Sequence, residues 1–246
     1  MINIVIPMAG AGSRFSEAGY EKPKPFIDVG GKPMIQRVLE NLKYPEARYI
    51  LVAQKDHLEK EKDLVSRIEK EFNVYFIPIE NITEGTACTV LYARKFIDND
   101  KPLLIANSDQ IVDMDIAMLI DDCKTKGSDG SILTFIDKYK DSKWSFAKIN
   151  ENGFVTEVRE KAVISEYATV GIYLYSKGST FVDAAIDMIV ENDRVNGEFY
   201  TCPTYNYAIK EKNLISIYNI EPEQMHGIGT PNDLNLYLDF IGSYKY

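Results

Sequence analysis

The chain has 246 residues, 45% of them hydrophobic and 26% charged. That is the balance of a globular protein, long enough to bury roughly 70% of its unfolded surface. A formal net charge of -9 excludes general nucleic-acid and membrane-surface roles, which need a positive face, and no apolar run approaches the roughly 20 residues that span a bilayer.

In chain order, the sequence opens directly on Ile2–Pro7, a short β-branched run bounded by Pro and Gly that reads as a buried strand, so no signal peptide is expected. Residues 8–33 hold many Gly and Pro with few periodic apolar positions. They read as one long loop, a length that is uncommon inside a domain and usually functional. Pro33–Leu42 reads as a helix with Pro33 in its first turn, and Tyr49–Ala53 as a strand. Asp56–Phe72 reads as a charged helix with Leu58, Leu64, Val65 and Ile68 toward one side. Val74–Ile77 is a strand, Gly85–Phe96 a helix and Pro102–Ala106 another buried strand. This alternation implies a doubly wound α/β fold around a parallel sheet, with ligands outside the carboxyl ends of the strands.

The pattern then changes. Ser131–Ile136, Phe146–Asn150, Phe154–Glu160 and Thr169–Tyr175 read as strands separated by turns, one of them at Asn152-Gly153, which makes the sheet mixed but mostly parallel. Ser179–Val190 and Tyr205–Lys210 read as helices, Leu214–Asn219 as a late strand and Pro231–Asp239 as a final helix. With no internal repeat and no low-complexity linker, a single domain over 1–246 is expected. Cys88, Cys123 and Cys202 are odd in number and widely spaced, and read as reduced thiols of a cytoplasmic protein.

Two strand ends carry unusual chemistry. The first strand runs into Met8-Ala9-Gly10-Ala11-Gly12-Ser13-Arg14, followed by Lys22-Pro23-Lys24-Pro25. Glycines let a backbone approach a ligand and expose its N–H groups, and Arg14 offers a planar fork for phosphate oxygens. Prolines 23 and 25 limit the chain around Lys24 to extended shapes, which holds a cation with less entropy to lose. The same residues also suit a surface loop with solvated lysines. The turn is not a P-loop, and it misses the dinucleotide fingerprint because position 15 is Phe. The Pro102 strand ends in Asn107-Ser108-Asp109, where a carboxylate is placed to hold Mg2+ or Mn2+; Asn-Ser-Asp is equally good turn chemistry. Glu84-Gly85-Thr86-Ala87 provides a glycine on which a base or ribose can lie, or simply a helix N-terminus.

Together and in this order, these motifs resemble the sugar-nucleotide pyrophosphorylase superfamily. Its members open with a strand, a Gly-x-Gly-x-Arg loop, a Pro-Lys-Pro and a Gly-Lys-Pro-Met/Leu-Ile. The counterparts are Gly10–Arg14, Pro23-Lys24-Pro25 and Gly31-Lys32-Pro33-Met34-Ile35, and Gly85-Thr86-Ala87, Asp109, Glu160-Lys161 and Gly229-Thr230-Pro231 extend the match over nearly the whole chain. The resemblance implies a GT-A, nucleotide-diphospho-sugar transferase-like fold with a nucleotide-binding half over 1–110 and an acceptor-binding half over 111–246. It implies an NTP held by Met8, Ala9, Gly10, Ala11, Gly12, Ser13 and Arg14, with Lys24 neutralising the α-phosphoryl group. Glu84, Gly85, Thr86 and Ser108 would line the nucleotide pocket, and Asp109 would ligate the metal. Glu160, Lys161 and Glu198 would face a phosphorylated small-molecule acceptor, Lys161 near its phosphate.

Departures accompany the match. Many relatives carry an aspartate two residues before the late Gly-Thr as a second metal ligand, and here that place is Gly227; Glu198 and Asp233 are candidate substitutes, while His226 reads as a structural neighbour. Ala162 replaces the usual Pro after Glu160-Lys161, and Ser108 the usual Gly before the aspartate, both suggesting an altered acceptor pocket. The chain resembles a capsule-associated branch of CTP-dependent cytidylyltransferases that join CMP to L-glutamine phosphate in capsular phosphoramidate biosynthesis. The expected reaction is therefore CMP transfer from CTP to L-glutamine phosphate with release of pyrophosphate. The alternatives are a sugar-1-phosphate nucleotidyltransferase and a non-catalytic nucleotide sensor of the same fold. Tyr237, Tyr244 and Tyr246 read either as a subunit contact in a homo-oligomer or as surface packing.

Overall fold

The computed structural model of the protein describes residues 1–243; Tyr244 and Tyr246 of the tyrosine-rich tail lie outside the described residues. The first half alternates as β1 (Ile2–Pro7), α1 (Ser13–Glu17), α2 (Met34–Asn41), β2 (Ala47–Gln54), α3 (Lys55–Lys60), α4 (Lys62–Glu71), β3 (Val74–Ile79), α5 (Thr86–Leu91), α6 (Arg94–Ile97) and β4 (Leu103–Ala106). There follow β5 (Gln110–Val112), α7 (Ile116–Thr125), β6 (Gly130–Ile136), β7 (Phe146–Ile149), β8 (Val155–Arg159) and β9 (Tyr167–Tyr175). The chain continues through α8 (Gly178–Val190), α9 (Thr204–Lys210), β10 (Ile215–Ile220), β11 (Met225–Gly227) and α10 (Pro231–Ser243).

The central strands are apolar on both faces because both faces are covered. Successive side chains on a strand point to opposite sides. Ile4 and Ile6 of β1, Leu51 of β2 and Leu104 of β4 therefore join one core with α2, α7 and α10. Val5, Ile50, Val52, Leu103 and Ile105 join the other, with α5, α8 and α9. The nine-stranded sheet runs β10-β6-β9-β4-β1-β2-β3, with β7 and β8 branching from β9. β9 is antiparallel to both β4 and β6, while β1 is parallel to β2 and β4. The fold is thus α/β with a mixed, mostly parallel sheet, as the alternation of elements implies. Among the described residues no helix is long and apolar enough to cross a membrane.

The inverted strand positions the site. The register of β4 with β9 ends at Ala106 opposite Ile172. Because β9 runs the other way, its N-terminal half continues past the carboxyl end of β4, where Asn107 N–H bonds to Gly171 O at 3.0 Å. A separate ribbon lies at the same edge: β11 pairs antiparallel with β5, Gly227 opposite Gln110.

Several local expectations need correction. The loop over 8–33 contains α1 and a 3-10 turn at Lys24–Phe26. Lys24 is therefore not extended: Phe26 N–H bonds to Pro23 O at 2.9 Å and Ile27 N–H to Lys24 O at 3.2 Å, and the turn buries Phe26. The helix expected over 56–72 is broken at Glu61, at φ -111° and ψ 32°. The helix expected over 85–96 is broken at Ala93, at φ -84° and ψ 1°, with Val90, Ala93 and Ile97 all buried. β5, α7 and β11 do not figure in the sequence reading. The signal for α7 was present: Asp115 caps it by accepting from Ala117 N–H at 2.9 Å, and Ile116, Leu119, Ile120 and Cys123 bury at helical spacing.

Gly178 opens α8 with its Cα against the chain of α6; a Cβ there would lie 2.0 Å from Ile97 O. Relieving that overlap means moving backbone, so Gly178→Ala is expected to destabilise the protein by about 1–3 kcal/mol, seen as a lower urea midpoint with an unchanged m-value.

Candidate active site

The site grows from the carboxyl ends of β1 and β4, which are adjacent and parallel. At the end of β1, Met8 N–H bonds to Val52 O at 2.8 Å, and the Gln54 side-chain amide donates to Ala9 O at 3.0 Å and Gly10 O at 3.4 Å. The carbonyls of the turn are thereby drawn toward β2. Among the described residues, the N–H groups of Gly10, Ala11 and Gly12 donate to no backbone carbonyl, and the space that a Cβ on Gly10 would take is open. Gly12, at φ 63°, leads into α1, where Arg14 is exposed. A turn with unspent N–H donors has the chemistry to receive an anion. Gln54 was not singled out by the sequence, because a polar residue ending a strand has no signature of its own.

Lys24 reaches across to Asp109 and pairs with it directly, Nζ donating to Oδ2. Their side chains are 22% and 23% exposed. Glycines shape both ends of this pair. A Cβ on Gly12 would lie 3.1 Å from Lys24 Cβ, and one on Gly229 only 2.4 Å from Asp109 Oδ2. Ile228 N–H bonds to Asp109 O at 2.9 Å. The late Gly-Thr-Pro segment is therefore packed directly on the carboxylate, a contact the sequence does not reveal. Ser108, next to it, is buried.

Among the described residues no group of three or more His, Cys, Asp or Glu side chains could hold a metal ion. Asp109 is the carboxylate on hand. Gly227 is opposite Gln110 and supplies none. Asp233, one candidate substitute, accepts from Thr230 Oγ1 at 2.7 Å and belongs to the start of α10. His226 bonds to Asp113 at 2.8 Å and packs on Phe240, which makes it the structural neighbour expected. Mg2+ characteristically takes one or two carboxylates plus substrate phosphates. The donor set at Asp109 fits such a substrate-borne divalent ion and not an all-protein cage.

Glu84, Gly85 and Thr86 are gripped by the segment after Arg194. Arg194 pairs with Glu84 and lies over the Phe199 ring at 4.0 Å. Phe199 N–H bonds to Glu84 O at 2.8 Å and Ala87 N–H to Phe199 O at 3.0 Å. Gly85 sits at φ 136° with the Phe199 backbone where a Cβ would be, 2.3 Å away. The hydroxyl of Thr86, a residue expected to line the nucleotide pocket, accepts from Thr201 N–H and Thr201 Oγ1, each at 3.0 Å.

Glu160 and Lys161 lie at the other end of this segment. Ser145 Oγ donates to Glu160 Oε2, and Ser145 O accepts from Thr169 N–H at 2.8 Å. That bond ties Glu160 to the part of β9 that continues past the carboxyl end of β4. Burial pushes the Glu160 carboxyl up, Ser145 and Lys161 oppose the shift, and Glu198 adds to it. Glu198 therefore belongs to the Glu160–Lys161 cluster and is no substitute ligand beside Asp109. Lys161 Nζ donates to Tyr200 Oη at 2.6 Å, and this bond raises the lysine's pKa.

A nucleotidyl transferase family model matches residues 4–218. The chain belongs to the nucleotidyl transferase family. It is 28% identical over 200 residues to a mannose-1-phosphate guanyltransferase of Schizosaccharomyces pombe, covering 80% of this chain and 48% of that protein. It is 24% identical over 218 residues to the bifunctional protein GlmU of Methanococcus aeolicus, covering 88% and 49%. The chain thus spans about half the length of these relatives. A nucleoside-diphosphate-sugar pyrophosphorylase from Vibrio cholerae RC9 shares the fold, with a TM-score of 0.80 at 23% identity over 96% of this chain and 99% of that one.

Since the folded state holds the Glu160 proton more tightly than the unfolded chain, stability falls as pH rises from the ordinary value of 4.5 through the raised folded value. Glu160→Gln is expected to flatten the melting temperature against pH in that window. An identical slope in wild type and variant would contradict the assignment.

Proposed function

We propose that this chain is the transferase unit of a sugar-1-phosphate nucleotidyltransferase, joining the NMP of an NTP to a sugar 1-phosphate and releasing pyrophosphate. The observation that carries the reading is the Lys24–Asp109 pair at the mouth of a glycine turn with unspent N–H groups. Membership of the nucleotidyl transferase family and relatives acting on mannose 1-phosphate support it. They favour the sugar-phosphate acceptor over CMP transfer to L-glutamine phosphate, for which the relatives offer no support.

In this reading an oxygen of the acceptor phosphate attacks the α-phosphorus in line. A P–O bond forms as the bond to pyrophosphate breaks, and the pair of electrons leaves with pyrophosphate. A phosphate is already a nucleophile at neutral pH, so no general base is needed; the protein positions and neutralises. The Gly10–Ser13 N–H groups and Arg14 hold the β- and γ-phosphates. Lys24 exchanges part of its hold on Asp109 for the α-phosphoryl oxygens. Asp109 would hold a divalent ion, Mg2+ or Mn2+, which would supply charge neutralisation for the phosphates. Residues 1–110 serve the nucleotide, and Glu160, Lys161 and Glu198 serve the acceptor.

The test is pyrophosphate release with GTP and mannose 1-phosphate, dTTP and glucose 1-phosphate, and CTP and L-glutamine phosphate. Turnover is expected with a sugar 1-phosphate and lost on chelation of divalent ions. Turnover confined to the CTP pair would overturn the acceptor, and NTP binding without turnover in any arm would make the protein a sensor. Lys24→Ala and Asp109→Ala are each expected to lower turnover by about two orders of magnitude or more, the scale of losing one charge-stabilising group. Rates near wild type would remove those residues from the mechanism.

A further inference from the structure

Lys161 has an exposed side chain and a left-handed backbone, at φ 53°. An exposed lysine samples many rotamers, and a cation that must meet a phosphate at one point loses that freedom on binding. Here the ammonium is already held: Nζ lies 2.6 Å from Tyr200 Oη and 4.6 Å from the centroid of the same ring. Tyr200 is held in turn. The residues on both sides of it, Phe199 and Thr201, are bonded to Glu84, Ala87 and Thr86. Its backbone is thus pinned to the loop that precedes α5, while its hydroxyl reaches the strand-end residue after β8.

We propose that Tyr200 is a positioning residue that holds the Lys161 ammonium for the acceptor's phosphate, and so sets acceptor affinity. This rests on the transferase reading above. Tyr200 acts through Lys161 rather than on the reacting phosphorus. Its loss raises the KM for the acceptor and leaves the KM for the NTP unchanged. The same bond is the largest contribution raising the Lys161 pKa, so losing it also lowers that value.

The experiment uses the full chain with mannose 1-phosphate and GTP, or with whichever pair of the pyrophosphate-release panel turns over. Tyr200→Phe keeps the ring and removes the hydroxyl. It is expected to raise acceptor KM about tenfold, the scale of one hydrogen bond to a charged group, with NTP KM and melting temperature unchanged. Adding Tyr200→Phe to Lys161→Ala is expected to change acceptor KM no further, since both act through one contact. An active wild type with an unaltered acceptor KM in Tyr200→Phe would overturn this inference alone, as would full additivity in the double variant. A wild type silent in every arm would overturn the transferase reading and this inference with it.

Discussion

The ion pair between Lys24 and Asp109 joins residues 85 positions apart, and most of the surrounding architecture serves to hold it. Taking opposite charges partly out of water costs desolvation, which their attraction repays only when the geometry is good. The fold supplies that geometry with glycines. Gly12 lets Lys24 pass close to the turn, and Gly229 leaves room for the Asp109 carboxylate. Gly171, at φ 91°, leaves room for Asn107 in the same way: a Cβ there would lie 2.2 Å from the Asn107 amide nitrogen. Without a substrate the lysine and the carboxylate satisfy each other. In the proposed reaction each would gain a new partner of opposite charge, an anionic phosphate for Lys24 and a cation for Asp109.

A chain of net charge -9 is a poor general host for polyanions, and the positive character has to be local. The N–H groups of the Gly10–Gly12 turn, and Lys24 packed beside Gly12, supply it at one edge of the sheet. The inverted β9 brings the second cluster to the same edge, through Thr169, Ser145 and Glu160. The segment from Arg194 to Thr201 then spans from the loop before α5 to Lys161. One short stretch of chain thus touches both proposed substrate sides, which gives their relative placement a rigid basis.

Much of this was legible in the sequence. The strand–helix alternation, the break in pattern after residue 110 and the glycine turn after the first strand all rest on local chemistry: apolar periodicity, proline and glycine punctuation, and turn residues. The misses also have physical causes. β5 and β11 have three residues each, too few for periodicity to register, and they exist because they pair with each other. Gln54 looked like any polar strand end, and its amide matters only because β2 lies beside β1. The Thr86 hydroxyl is engaged by a residue 115 positions later, a pairing that no local stretch of chain displays.

The sequence by itself determined most of the elements that form, their order, and which residue types stand at their ends, because backbone dihedrals and side-chain periodicity are properties of neighbours in the chain. It could not determine that β9 runs antiparallel between β4 and β6, that Gly229 packs under Asp109, or that Tyr200 holds Lys161. Those contacts depend on which strands share hydrogen bonds and which helices cover each face. That choice is made by burial of the whole sheet rather than by any local stretch of chain.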